Sequence, residues 1–476
     1  MQPIVAEVIS IENQISQFFH NHSIGTLLRQ CNIRKDKGIP MESLFQFLLA
    51  LAFTGKNMFR HMEPLGSSDG IYKDVGYRLQ NSVKANWRKF LLLLSTRIII
   101  MRLEPLTDPT NLKVLIADDT LYLRDRSKKV ELLARVHDHN TGRYHKGFRM
   151  LTLGWGDGGS FIPILLSMLS STKEKNRLAP MRDDLDKRTN GYKRRKESTR
   201  KSTDVLVKMV SLAIAADISA RHLLVDSWFA FPATIRTIKA LEMDTVCMLK
   251  DTPTIHYTFE DKQVTLKKLF TLLRKRPGRA KVLASCEVTI GNDEKGKPVS
   301  AKIVFIRHRN TKSWLAILST DTTLTDKEIV TLYKRRWDIE TFFKIAKSFL
   351  QLAKECQSRS FDAIIANATL VCCRYIMLAI GKRTTSDPRT LGTLFFSTCD
   401  EIQQTTFSEV LVILLNLLGQ TLKTIGLSRE QVLCKVAEFI DQLPPVFKER
   451  LLFLLPESEQ RQLISAGYTN SIMCES

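Results

Sequence analysis

Apolar positions recur at helical spacing in 4–19, 41–53 and 86–103, with no alternating stretch among them, so residues 1–105 are expected to be helical. The pattern changes at 113–118, where Val-Leu-Ile-Ala is a short apolar run ending in Asp118. Strand-like runs follow at 131–137, 148–155 and 161–168, with turn residues between them, which predicts one buried strand and a meander. A helix over 203–217, a strand over 221–226, a helix over 232–241 and a strand over 245–249 give βαβ alternation. Strand signals return at 281–290, 301–308 and 314–320. From about 351 to 476 the pattern is helical again, with an aliphatic run at 409–418.

Three acids stand out against this pattern. Asp118 closes one apolar strand, Asp226 closes another (His222-Leu-Leu-Val-Asp226), and Glu340 sits on a helix. In open α/β sheets, functional groups collect at the carboxyl ends of strands. Three carboxylates from separate elements are hard oxygen ligands suited to Mg²⁺ or Mn²⁺. Two such ions side by side activate an attacking oxygen and stabilise a leaving one on phosphorus.

Around Glu340 the order is Tyr333-x2-Arg336-x3-Glu340-x6-Lys347. On one continuous α-helix these four residues fall within about 60° of arc, a carboxylate between two cations and a phenol. Phe342, Phe343 and Ile345 lie elsewhere on the wheel and are expected to hold the helix to a core.

The chain of 476 residues carries 71 Lys and Arg against 49 Asp and Glu, a net charge of +22, which suits a polyanionic partner. Apolar content of 44% argues against general disorder. The nine cysteines have no CxxC pair and no zinc spacing, and are read as reduced cytosolic thiols. The longest apolar run is placed near 90–101, too short for a bilayer, so no membrane association is expected. A basic stretch, 173–201, is read as a loop that is either solvated or in contact with DNA. Arg29, Arg34, Lys35 and Lys37 form a second basic group.

The four-position spacing matches the YREK signature of bacterial insertion-sequence transposases with a DDE catalytic triad, and the chain resembles that family over most of its length. Asp118-Asp119-Thr120 resembles the family's first-aspartate motif, and Val225-Asp226-Ser-Trp-Phe the second. The resemblance implies an α/β fold. Its ribonuclease H-like catalytic core would span 106–250 and 321–372, interrupted by a β-rich insertion at 251–320. A helical DNA-binding region at 1–105 and a helical C-terminal region at 373–476, a candidate for dimerisation, would flank it. It implies cut-and-paste transposition with two Mg²⁺ (or Mn²⁺) ions held by Asp118, Asp226 and Glu340. Tyr333, Arg336 and Lys347 would grip phosphates of the terminal inverted repeats, and Trp314 would stack a flipped base where ends leave as hairpins. Double-stranded DNA, both ends and target, and a homodimer in a synaptic complex are the implied partners, in the bacterial cytoplasm at the nucleoid.

Either Asp118 or Asp119 fits the first position. Strand period and the form Asp-x-Thr select Asp118, leaving Asp119 as the alternative first ligand. A catalytically inactive DNA-binding relative and a ribonuclease H-like endonuclease without strand transfer are the other readings. Three local motifs are set aside. Gly154-Trp-Gly-Asp-Gly-Gly159 and the Gly291–Pro298 segment read as hairpin turns, and His137-Asp-His139 as residues beside a turn rather than metal ligands.

Overall fold

The computed structural model describes residues 13–35, 37–55, 73–139, 141–293, 295–308, 313–403, 418, 421–422 and 426–442. The expected helix at 4–19 is therefore seen only in part, and the aliphatic run at 409–417 lies outside the described residues. The chain divides into two compact units, Met1–Gln17 with Phe395–Ser476, and Phe18–Leu394. In the first, the described helix Arg429–Asp441 opens on a capping box, with Ser428 and Gln431 satisfying each other's backbone N–H groups.

The second unit is built on one eleven-stranded sheet. Its strands are β1 (Val114–Leu123), β2 (Ala134–His137), β3 (Tyr144–Gly156), β4 (Phe161–Leu169), β5 (His222–Val225), β6 (Asp244–Leu249), β7 (His256–Phe259), β8 (Lys262–Thr265), β9 (Val282–Asn292), β10 (Pro298–Arg307) and β11 (Trp314–Ser319). Strand β1 pairs antiparallel with β3, and β3 with β4. On its other side β1 runs parallel to β5, and β5 to β6. The order β4-β3-β1-β5-β6, antiparallel then parallel, is that of a ribonuclease H-like core. The fold is mixed α/β, as the sequence pattern led one to expect.

The strands of 251–320 do not leave this sheet. β11 pairs antiparallel with β6, β10 with β11 and β9 with β10, so the sheet simply continues. Of helices α1 (Met41–Ala50), α2 (Trp87–Ile98), α3 (Asn190–Ser198), α4 (Ser202–Ile214), α5 (Pro232–Ala240), α6 (Asp326–Lys334), α7 (Trp337–Ser348) and α8 (Phe361–Thr384), α1 packs on α8 and the others pack on the sheet. Every residue of β4 is buried, which requires cover on both faces.

Helix α8 is buried along Phe361–Ile380 and forms the spine of the helical layer. Among the described residues it alone is long and apolar enough to cross a membrane, and its apolar stretch is enclosed by protein. It is longer than the run near 90–101, and the expected boundary at 372/373 falls inside it. Arg374 in its middle is fully buried yet satisfied. It donates to the carbonyls of Leu48 (2.6 Å), Leu49 (2.9 Å) and Leu350 (3.2 Å) and pairs with Glu355. Its guanidinium thus serves carbonyls at the end of α1 and just beyond α7, groups a helix terminus leaves without intrahelical partners.

Two expectations change. Strand β1 does not end at Asp118 but pairs with β3 as far as Leu123. The polar residues Asp118–Thr120 are tolerated in mid-strand because they face a cleft and keep partial exposure. The basic stretch 173–201 is not one loop, since it contains α3 with Arg195 fully buried. The two glycine motifs do form turns, between β3 and β4 and between β9 and β10. Gly154 is required there, because a Cβ would overlap the Phe161 ring, itself packed on Phe342 at 5.6 Å. Gly154→Ala is expected to cost about 1–3 kcal/mol by overpacking. A thermal melt checks it, and an unchanged midpoint would contradict this packing.

Candidate active site

The sheet itself brings the two aspartates together. In the parallel pair β1–β5 the last matched residues are Ala117 and Val225, and the next residues are Asp118 and Asp226. Both line a cleft of about 1460 Å³, which Trp228, Trp314 and Lys347 also border. That exceeds the roughly 300–1,000 Å³ of ordinary small-molecule pockets.

Glu340 arrives on α7. The segment before it is not the single helix the spacing predicts, because α6 ends at Lys334 and α7 begins at Trp337. Between them the amides of Arg335 and Arg336 bond three residues back, to Leu332 and Tyr333, at 3.1 and 3.0 Å. This tighter winding shifts the wheel. Tyr333 is consequently buried at 8% exposure, with the Arg336 guanidinium over its ring at 5.9 Å.

Arg336 is the connector. It donates to Asp118 Oδ2 at 2.9 Å and also to Glu340 Oε1, so the first and third acids share one guanidinium. Lys347, further along α7, donates to Thr120 Oγ1 at 2.6 Å. Burial pushes the Asp118 carboxyl up to about 7; Arg336 and the Asp119 amide oppose the rise, while Asp119 and Asp226 add to it. Acids that raise one another's pKa in a half-buried cleft fit a dication, whose charge would relieve the repulsion. By donor type and placement, Asp118, Asp226 and Glu340 are the residues that would hold it.

Asp119, next along β1, borders the same cleft but has a different partner. It pairs with Arg149 of β3 at 2.6 Å, and its second oxygen is buried without a hydrogen-bond partner. Burial raises its pKa, against the pull of Arg149. These pairings group Asp118, rather than Asp119, with Arg336 and Glu340. Arg149 was not foreseen, since a single Arg within an apolar strand gives no signal until its partner strand is known.

Trp314 opens β11 half-buried, with Phe270 and Phe305 ring centres 5.0 and 5.2 Å from its own. His137 and His139 lie against each other, Nδ1 to Nδ1 at 3.3 Å, on the cleft wall.

A second cluster lies at the opposite end of the parallel strands. His222 and Asp244 begin β5 and β6, and Asp321 follows β11, with ligand atoms within 4.8 Å of one another, close enough to hold a metal ion. Protein partners already serve these groups. His222 Nε2 lies 3.0 Å from Asp321, Arg221 3.3 Å from Asp321 and Lys239 2.5 Å from Asp244. Burial works against the Asp321 charge, but hydrogen bonds from Thr323 and His222 hold its pKa below the usual carboxylate value. We read this cluster as an ion-pair clasp joining β11 to β5 and β6.

Residues 77–264 match the family model described as DDE superfamily endonuclease. The match contains β1, β5, Asp118 and Asp226 and ends before Glu340. The search of curated proteins found no match.

Proposed function

We propose that the protein is an insertion-sequence transposase, which binds terminal inverted repeats as double-stranded DNA and catalyses their cleavage and transfer. The observation that carries this is Arg336 joining Asp118 on β1 to Glu340 on α7, beside Asp226 at the matched end of β5. Asp118 and Asp226 line one cleft and Glu340 is tied to Asp118 through Arg336, in a chain of net charge +22. The endonuclease family match over two of the three acids supports the same chemistry.

Two divalent ions, Mg²⁺ or Mn²⁺, would supply activation of the attacking oxygen and charge stabilisation of the leaving oxygen. Asp118, Asp226 and Glu340 would hold them. Arg336 and Lys347 rim the same acids and place cationic donors where phosphate oxygens would lie. Tyr333 sits beneath Arg336 and orients it rather than reaching DNA itself. Water attacks the phosphorus, the P–O3′ bond breaks and a 3′-hydroxyl is freed. That hydroxyl then attacks a target phosphate, displacing the target's own 3′-oxygen. Bringing two ends together calls for two protomers in one complex.

The test is a reaction of purified protein with Mg²⁺, duplex DNA carrying the repeats that flank its gene, and a supercoiled plasmid. Free 3′-hydroxyl ends followed by joined product are expected. Cleavage without joining would instead make the chain a ribonuclease H-like endonuclease. Binding without cleavage would make it an inactive DNA-binding relative. Trp314→Ala gives a further prediction. If Trp314 stacks a flipped base, the variant nicks the first strand normally but forms few hairpin ends, whereas equal loss of both steps assigns it to packing alone.

A further inference from the structure

Four aromatic rings run in unbroken contact, three of them (His137, His139 and Trp228) on the cleft wall and Tyr144 beyond it. Tyr144 lies 4.9 Å from His137, His137 4.8 Å from His139, and His139 5.4 Å from Trp228, centre to centre. The ribbon starts two residues from Asp226 and leads outward along the paired ends of β2 and β3, where His137 stands opposite Tyr144. Its rings are not core. Tyr144 is 73% exposed and Trp228 49%, and His139 is also exposed. Arg149 fixes the ribbon in place. It lies over the Trp228 ring at 6.0 Å, donates to the His137 carbonyl at 2.7 Å and is anchored by Asp119.

Large rings left in water are unfavourable unless something covers them, and contiguous exposed apolar surface marks a binding site. Their position selects the occupant. They border acids suited to phosphate chemistry, with Lys250 and Lys347 on the same cleft. Bases within a duplex stack on one another and have no free face, whereas unpaired bases stack on aromatic side chains beside a cationic path for the backbone. We propose that the Tyr144–His137–His139–Trp228 ribbon is a stacking track for unpaired DNA bases adjoining the bond to be cut. The substrate form recognised at the site is then a locally single-stranded end. This inference rests on the reading of the cleft as a DNA-cleaving site.

The test measures equilibrium binding in EDTA, so that nothing is cut, of labelled oligothymidylate of about 15 nucleotides. A duplex of the same length and an abasic strand of the same length are the controls. Trp228→Ala is expected to weaken oligothymidylate binding about tenfold, the loss of one stacked base, with Tyr144→Ala acting in the same direction. Trp228→Phe, which keeps a ring, should stay within about twofold of the wild type. Duplex and abasic strand, held through phosphates, should change little in any variant. Unchanged oligothymidylate binding in both alanine variants overturns the track, as does an equal loss for the abasic strand. Should Trp228→Ala not fold, Tyr144→Ala on its exposed ring decides. A wild-type protein that binds no DNA and cuts none removes the transposase reading itself. Cleavage that proceeds while the alanine variants bind oligothymidylate normally removes only the track.

Discussion

Glu340→Gln lowers metal-dependent strand cleavage by at least about 100-fold while leaving DNA binding and the thermal midpoint near those of the wild type. Groups that merely orient metal ligands already change affinity or activity by about 10–100-fold, and a direct ligand is expected to exceed that. The fold should survive because the Glu340 side chain is 32% exposed and the glutamine is isosteric. Its pairing with Arg336 is partly in solvent, where such pairs contribute about 0–1 kcal/mol. Asp118→Asn and Asp226→Asn should behave alike, since the three acids act as one set. Asp119→Asn is the contrast. It weakens a pairing with Arg149 rather than the link to Arg336 and Glu340, so its effect should fall on stability and on the Trp228 side of the cleft more than on turnover. Cleavage rates of the four variants decide this. A Glu340→Gln enzyme that still cuts at the wild-type rate would sink the assignment of the third acid, and an active Asp118→Asn beside a dead Asp119→Asn would exchange the two aspartates.

Much of this site was legible in the linear sequence, because its parts are local. An apolar strand carrying an acid, a second strand ending in an acid, and a fixed four-residue spacing can each be read within a few residues. What placed Asp118 beside Asp226 was register between strands about a hundred residues apart, and no local pattern encodes that. The winding between α6 and α7 was missed for a related reason. Helical periodicity assumes constant pitch, and the amide bonds of Arg335 and Arg336 tighten it just where the signature crosses. The aromatic ribbon was invisible as well. Its residues come from β2, β3, the turn after β2 and the loop after β5, and His137 and His139 alone suggested only a turn.

The same limit explains the basic stretch, and gives the second large effect. Arg195→Met is expected to destabilise the protein by about 3–5 kcal/mol, because it leaves buried acids without their cation. Arg195 is fully buried and bidentate to two partners, at 2.6 and 2.7 Å from Glu131 and 3.0 and 2.7 Å from Asp362. Its neighbour Arg194 also pairs with Asp362, at 2.8 Å. Lys193 and Lys196, on either side, are exposed. A run of four basic residues therefore divides by helical phase into a structural pair and a solvent-facing pair, which composition cannot separate. Arg195→Met should lower the melting midpoint by about 4–6 °C at this size. Replacing Lys193 and Lys196 together by Ala should leave the midpoint alone. If these lysines neutralise DNA phosphates, that double variant instead flattens the slope of log binding constant against log salt by about 0.9 per phosphate left unneutralised. Melting curves and salt titrations of the two variants test the division. An Arg195→Met protein with an unchanged midpoint would show that Glu131 and Asp362 do not depend on that guanidinium. Their burial would then require another source of compensation, for which Arg194 is the nearest cation.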